Sequence, residues 1–130
     1  MSKISSTVLL TALAVGLISL SIDSTAIFAQ TATSISILPG SSAPNPENKY
    51  YDPSPANIAV GTTVTWTNND ATLHTVVSGN PQTTGETGDF GSSSTFLSKG
   101  KTISHTFDTA GTFDYYCTLH PFMLGQVVVK

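Results

Sequence analysis

The sequence predicts an all-β sandwich in a single domain, and three observations carry that prediction. Short runs alternate apolar with polar residues, as half-buried strands do. Clusters of Gly, Asn, Asp, Ser and Pro part them at intervals of roughly 8–12 residues, the spacing of a sandwich. No segment beyond the N-terminal apolar run shows a convincing helical period. The chain has 130 residues, room for one domain around one core.

Residues 1–29 read as an export signal or an N-terminal anchor. Lys3 supplies the positive start, and Val8 to Leu20 is apolar apart from Thr11, Gly16 and Ser19. Asp23 ends the run, and Ala26, Ala29 and Ala32 offer cleavage points. The run of 13 residues is short of the about 20 needed to span a bilayer. A retained membrane tether is the alternative to cleavage. The domain as a whole is expected over about residues 33–130. Residues 30–57 hold an N-terminal strand and a Pro-rich loop, and residues 58–130 hold the remainder.

Thr33 to Leu38 alternates Ile with Ser, so it predicts a strand with one apolar face. Pro39 to Asn57 carries five of the seven prolines and reads as loop, with Tyr50 and Tyr51 as an edge segment. Ile58 to Thr67 predicts one strand region, with Val64 and Trp66 on one face and Thr63, Thr65 and Thr67 on the other. Asn68 to Asp70 predicts a turn, and Leu73 to Ser78 a strand with His74 and Val76 together. Asn80 to Ser94, rich in Gly, Thr and Ser, reads as a long surface connection. Thr102 to Phe107 alternates, and Asp108 to Thr112 predicts a hairpin turn into Phe113, Tyr115 and Cys117. Gln126 to Lys130 closes the chain as a last strand.

Charge excludes one class of function. Five Lys, no Arg and eight acids give a net charge of -3 with no like-charge run. A nucleic-acid binder shows a basic stripe, and this chain has none.

The chemistry is concentrated in Cys117-Thr-Leu-His120-Pro-Phe-Met123. Exported domains usually pair their cysteines, yet Cys117 is alone and a free thiol outside the cell is open to oxidation unless buried or ligated. A thiolate, an imidazole and a thioether fall within seven residues. Pro121 stops a helix from running through the segment, so a tight loop is expected. His74 could add a second imidazole from across the sandwich. Each residue alone reads as core or surface filler. Together, two imidazoles, a thiolate and a weak axial thioether are the donor set of a blue copper electron-transfer centre. No coordination position is left for substrate, which argues against catalysis.

His105 is the rival to His74. If Asp108 to Thr112 is the turn, Phe107 pairs with Phe113, His105 with Tyr115 and Ile103 with Cys117. His105 then lies two residues from Cys117, roughly 7 Å along the strand. It is read as structural.

The stretches V64-T-W-T-N-N-D, L73-H-T-V and G111-T-F-D-Y-Y-C-T-L-H-P-F-M-L-G-Q-V-V-V resemble the plastocyanin and amicyanin branch of the cupredoxins. The resemblance runs from about Thr33 to Lys130, and the short gaps between Cys117, His120 and Met123 are similar to amicyanin. It implies a cupredoxin-like Greek-key β-sandwich holding one type 1 copper ion. His74, Cys117 and His120 would be equatorial ligands and Met123 the axial one. Thr75, where this family often has Asn, and Thr118 would flank the ligands. The protein would be a monomer and a one-electron carrier, not an enzyme. Redox proteins would dock transiently near His120 on a patch of Leu73, Pro121, Phe122 and Leu124. The alternatives are an exported copper storage or delivery protein on the same fold, and an adhesive sandwich that is metal-free or binds zinc.

Overall fold

The computed structural model describes residues 31–130. The expected export segment lies outside the described residues. Among the described residues, nine strands form two sheets: β1 (Ala32–Ile37), β2 (Tyr51–Asp52), β3 (Ala56–Ile58), β4 (Thr62–Asn68), β5 (His74–Asn80), β6 (Gly85–Leu97), β7 (Thr102–Phe107), β8 (Gly111–Tyr116) and β9 (Leu124–Val129). One sheet has the order β2-β1-β4-β7 and the other β3-β9-β8-β5-β6. The described residues contain no α-helix. The fold class is therefore as the alternating pattern predicts.

The alternation places the core. Ile35 and Ile37 of β1 and Val64 and Trp66 of β4 point inward and are buried. On the opposite face of β4, Thr63 and Thr65 pair their hydroxyls with Thr106 and Ser104 of β7, at 2.8 Å and 2.7 Å. Trp66 is the hub of the interior. Its ring stacks on Phe90 at 5.5 Å and meets Tyr115 edge-on at 5.3 Å. Aromatic pairs of these geometries stabilise a core beyond their buried area.

Four local expectations need correction. Ile58 to Thr67 is two strands, because Gly61, at φ +92°, turns the chain between β3 and β4. Asn80 to Ser94 is mostly strand: only Pro81 to Thr84 form a turn, and β6 then runs for 13 residues along the edge of the second sheet. Its polar composition hides it, since only Phe90 and Leu97 of β6 are buried, and an edge strand needs few apolar residues. Asp108 to Thr112 joins no hairpin. β7 pairs with β4 in one sheet, placing Val64 opposite His105, while β8 pairs with β9 and β5 in the other. The link after Phe107 is thus a crossover between sheets. Finally, His74 does not reach across the sandwich, because β5 and β8 are neighbours in one sheet, with Val77 opposite Tyr116.

His105 is structural even so. Its ring stacks on Phe90 at 5.1 Å and meets Phe107 edge-on at 4.8 Å. It serves the aromatic core, not the Cys117 loop.

Candidate metal centre

The loop after β8 is built from two consecutive tight turns. The His120 N–H donates to the Cys117 carbonyl at 3.3 Å, and the Met123 N–H donates to the His120 carbonyl at 2.9 Å. Side chains three residues apart eclipse one another when such turns repeat. Cys117, His120 and Met123 share that spacing, so local backbone geometry favours their projecting to one side. Cys117 and Met123 are fully buried, while His120 keeps partial exposure. The Tyr51 hydroxyl, reaching in from β2, donates to the Met123 carbonyl at 3.4 Å.

His74 opens β5, beside this loop. Among the described residues, His74, Cys117 and His120 form the one group with metal-ligating geometry, their donor atoms all within 4.8 Å of one another. The Cys117 Sγ lies 3.7 Å from His74 Nδ1 and 3.7 Å from His120 Nδ1. Donors about 2.0–2.3 Å from one ion and about 120° apart are separated by about 3.7 Å. Both sulfur–nitrogen gaps thus match a trigonal arrangement about one metal. The residues fit the group that the donor chemistry implies.

The far side of His74 is held as firmly as the near side. Its Nε2 donates to the Asp70 carboxylate at 2.7 Å, and the Ser41 Oγ lies 3.4 Å away. The other Asp70 oxygen accepts the Gly40 N–H at 2.9 Å. This contact orients the ring so that Nδ1 faces the sulfur, where that nitrogen would give up its proton to take a metal. Burial disfavours ionisation of both partners. Hydrogen bonding to Cys117 and Asp70 nevertheless holds the His74 pKa above its usual range, and bonds from His74, Gly40 and Ala71 hold Asp70 below its own.

Cys117 is poised as a thiolate. Burial pushes its pKa up, but hydrogen bonds from His74, the Thr75 backbone, His120 and the Thr75 hydroxyl outweigh that and hold it at about 6, against an ordinary 9.0. A depressed acid favours folding where it is ionised. The metal-free fold should therefore lose stability as pH falls from about 9.0 through about 6. Thiolate absorbance in the ultraviolet checks this. A midpoint near 6 in metal-free protein is expected, and an ordinary thiol midpoint would contradict it.

Thr75 and Thr118 both stand beside the ligands. Their hydroxyls are 2.7 Å apart, and the Thr118 N–H donates to the Thr75 Oγ1 at 2.8 Å. Leu73 and Leu124 are exposed, at 46% and 37%, and Pro121 is exposed as well. Phe122 is half-buried, because its ring packs edge-on against Tyr50 at 5.3 Å. Three further residues stand at the site. Leu119 is 44% exposed within the ligand loop; its place between Cys117 and His120 was the available signal. Asp70, four residues before His74, presents itself in sequence only as a turn residue. Ser41 gave no sequence signal, because its contact spans 33 positions.

A β-sandwich that gathers a buried thiolate and two imidazoles, with a buried Met three residues beyond the second, has the donor chemistry of a mononuclear copper-binding domain. The chain belongs to the plastocyanin/azurin family of copper-binding proteins, whose family model matches residues 44–130. It is 42% identical to the amicyanin of Paracoccus denitrificans over 82 residues, which is 63% of this chain and 59% of that protein. It is 36% identical to the plastocyanin of Scenedesmus fuscus over 84 residues, covering 62% of this chain and 86% of that one. The chain thus spans about three-fifths of the amicyanin's length. Among solved structures, it superposes on a purple cupredoxin from Nitrosopumilus maritimus with a TM-score of 0.68 and 34% identity. That match covers 75% of this chain and 99% of the other. The fold is a cupredoxin sandwich, and copper is the metal of the family to which the chain belongs.

Proposed function

We propose that the chain is an exported, monomeric one-electron carrier with a single type 1 copper ion, which His74, Cys117, His120 and Met123 would hold. The observation that carries this reading is the pair of 3.7 Å gaps between the Cys117 sulfur and the two ring nitrogens. When bound, copper supplies reversible Cu(II)/Cu(I) exchange. The protein's part is to hold donors that suit both oxidation states in one arrangement. Strand β5, the paired turns and the Asp70 contact do this, so little rearrangement accompanies the electron. The names of the relatives, amicyanin and plastocyanin, support the same reading. The domain covers about residues 33–130 behind the N-terminal segment of residues 1–29.

His120 is the ligand with an exposed edge. Leu73, Leu119, Pro121 and Leu124 are exposed on the segments that carry the ligands, and Phe122 is half-exposed. These residues offer an apolar face to a redox partner, and a small apolar face suits a contact that must form and break quickly.

The test begins with Cu(II) added to purified protein. An intense visible thiolate-to-copper band and a narrow copper hyperfine splitting are expected, with rapid electron self-exchange and slow loss of copper to a chelator. Rapid copper loss with slow electron exchange would favour storage or delivery instead. A colourless complex would exclude the type 1 centre.

A further inference from the structure

We infer that Thr75 gives the Cys117 sulfur two hydrogen-bond donors, its backbone N–H and its hydroxyl, and that the hydroxyl raises the reduction potential of the copper centre. The inference rests on the copper reading above and assigns a tuning role to a residue that is not itself a ligand.

Thr75 is fully buried on β5, immediately after His74. Its backbone N–H points at the Cys117 Sγ at 3.4 Å, and its Oγ1 lies 3.8 Å from the same sulfur. Both are hydrogen-bond distances for an atom as large as sulfur. A hydroxyl has one proton to give and two lone pairs to fill. The Thr118 N–H fills one lone pair at 2.8 Å. Two neighbours remain for the other lone pair and the proton: the Thr118 hydroxyl at 2.7 Å and the sulfur. A thiolate has no proton to offer and carries the negative charge, so it can only accept. The arrangement that satisfies every group has Thr118 donating its O–H to Thr75, and Thr75 donating its own to the sulfur. Reversing the Thr75–Thr118 bond would forfeit a charge-assisted hydrogen bond and leave a lone pair of a fully buried hydroxyl unfilled.

The consequence for copper is electrostatic. A donor on the sulfur draws negative charge away from the metal–sulfur bond. Cu(II) depends on that charge more than Cu(I) does. Each donor therefore favours the reduced state, and hydrogen bonds around the sulfur are an established lever on potential.

Thr75→Val keeps the shape and the backbone N–H but removes the hydroxyl. In the copper-loaded protein it should lower the reduction potential, measured by voltammetry, and raise the Cu–S stretching frequency, measured by resonance Raman. Thr75→Ser should restore both values. Thr118→Val, which leaves the donor to the sulfur in place, should keep the Cu–S stretch at its wild-type value. Thr75→Ala removes the same donor and is read in the same way if the valine variant does not fold. The inference is overturned if the hydroxyl-free variant keeps both the potential and the stretch, or if Thr118→Val reproduces its changes. A wild-type protein that takes up Cu(II) without an intense thiolate band would overturn the copper reading, and this one with it.

Discussion

Replacing Cys117 with alanine is expected to abolish the intense visible absorption of the copper-loaded protein altogether. That absorption requires a thiolate bound to Cu(II), and Cys117 is the only cysteine in the chain. Its sulfur is also the point on which the site converges. It lies 3.7 Å from the donor nitrogens of both imidazoles and accepts the Thr75 N–H at 3.4 Å. Two imidazoles and a buried thioether would be left. Cu(II) prefers nitrogen and oxygen in a tetragonal arrangement, so water would enter and the hyperfine splitting would widen to that of ordinary Cu(II). Copper affinity should fall by at least about 100-fold, since loss of a mere supporting partner already costs 10–100-fold. Optical and EPR titration with Cu(II), alongside circular dichroism to verify the fold, measures each quantity. An intense band surviving in this variant would remove Cys117 from the ligand set.

Gly125→Ala should unfold the domain at a much lower temperature. Gly125 of β9 lies opposite Tyr115 of β8 in the ladder. A β carbon built on it would overlap ring carbons and the hydroxyl of Tyr115. Aromatic neighbours confine the ring on two sides. It is fully buried, with Trp66 edge-on at 5.3 Å and Tyr51 at 4.7 Å. Overpacking of this kind costs about 1–3 kcal/mol, and rigid aromatic neighbours on both sides put this position at the upper end. A loss of about 3 kcal/mol corresponds to roughly 12–24 °C in a domain of this size. Tyr115 sits two residues before Cys117 and Gly125 two after Met123. The blue band should therefore be disturbed as well. Thermal and urea unfolding of the metal-free protein test the claim, and a cost below about 1 kcal/mol would contradict it.

The ligand loop was legible in sequence because it is local. Two turns that close within the segment itself shape the backbone from Cys117 to Met123, and the Cys117 sulfur and a His120 ring nitrogen end 3.7 Å apart. The rest of the site was legible only in part. A β7–β8 hairpin register favours His74 over His105 in sequence, but that register does not exist. The choice stands for a different reason: β7 belongs to the other sheet, where His105 packs on Phe90. Alternation reveals which face of a strand is buried, but it is silent about which strand lies beside it. β6 shows the complementary blindness. A Gly- and Ser-rich edge strand buries only Phe90 and Leu97, so periodicity had almost nothing to register.

By itself, the sequence determined the all-β class, the inward faces of β1 and β4, and the grouping of Cys117 with His120. These follow from residue chemistry and from spacings of two or three positions. Tertiary structure alone decided that β5 lies beside β8 and that Asp70 and Ser41 close over the far side of His74. It also decided that Thr75 meets both Thr118 and the Cys117 sulfur. Those contacts join residues up to 43 positions apart. Side chains that distant meet only after the two sheets have packed and fixed which strands are neighbours.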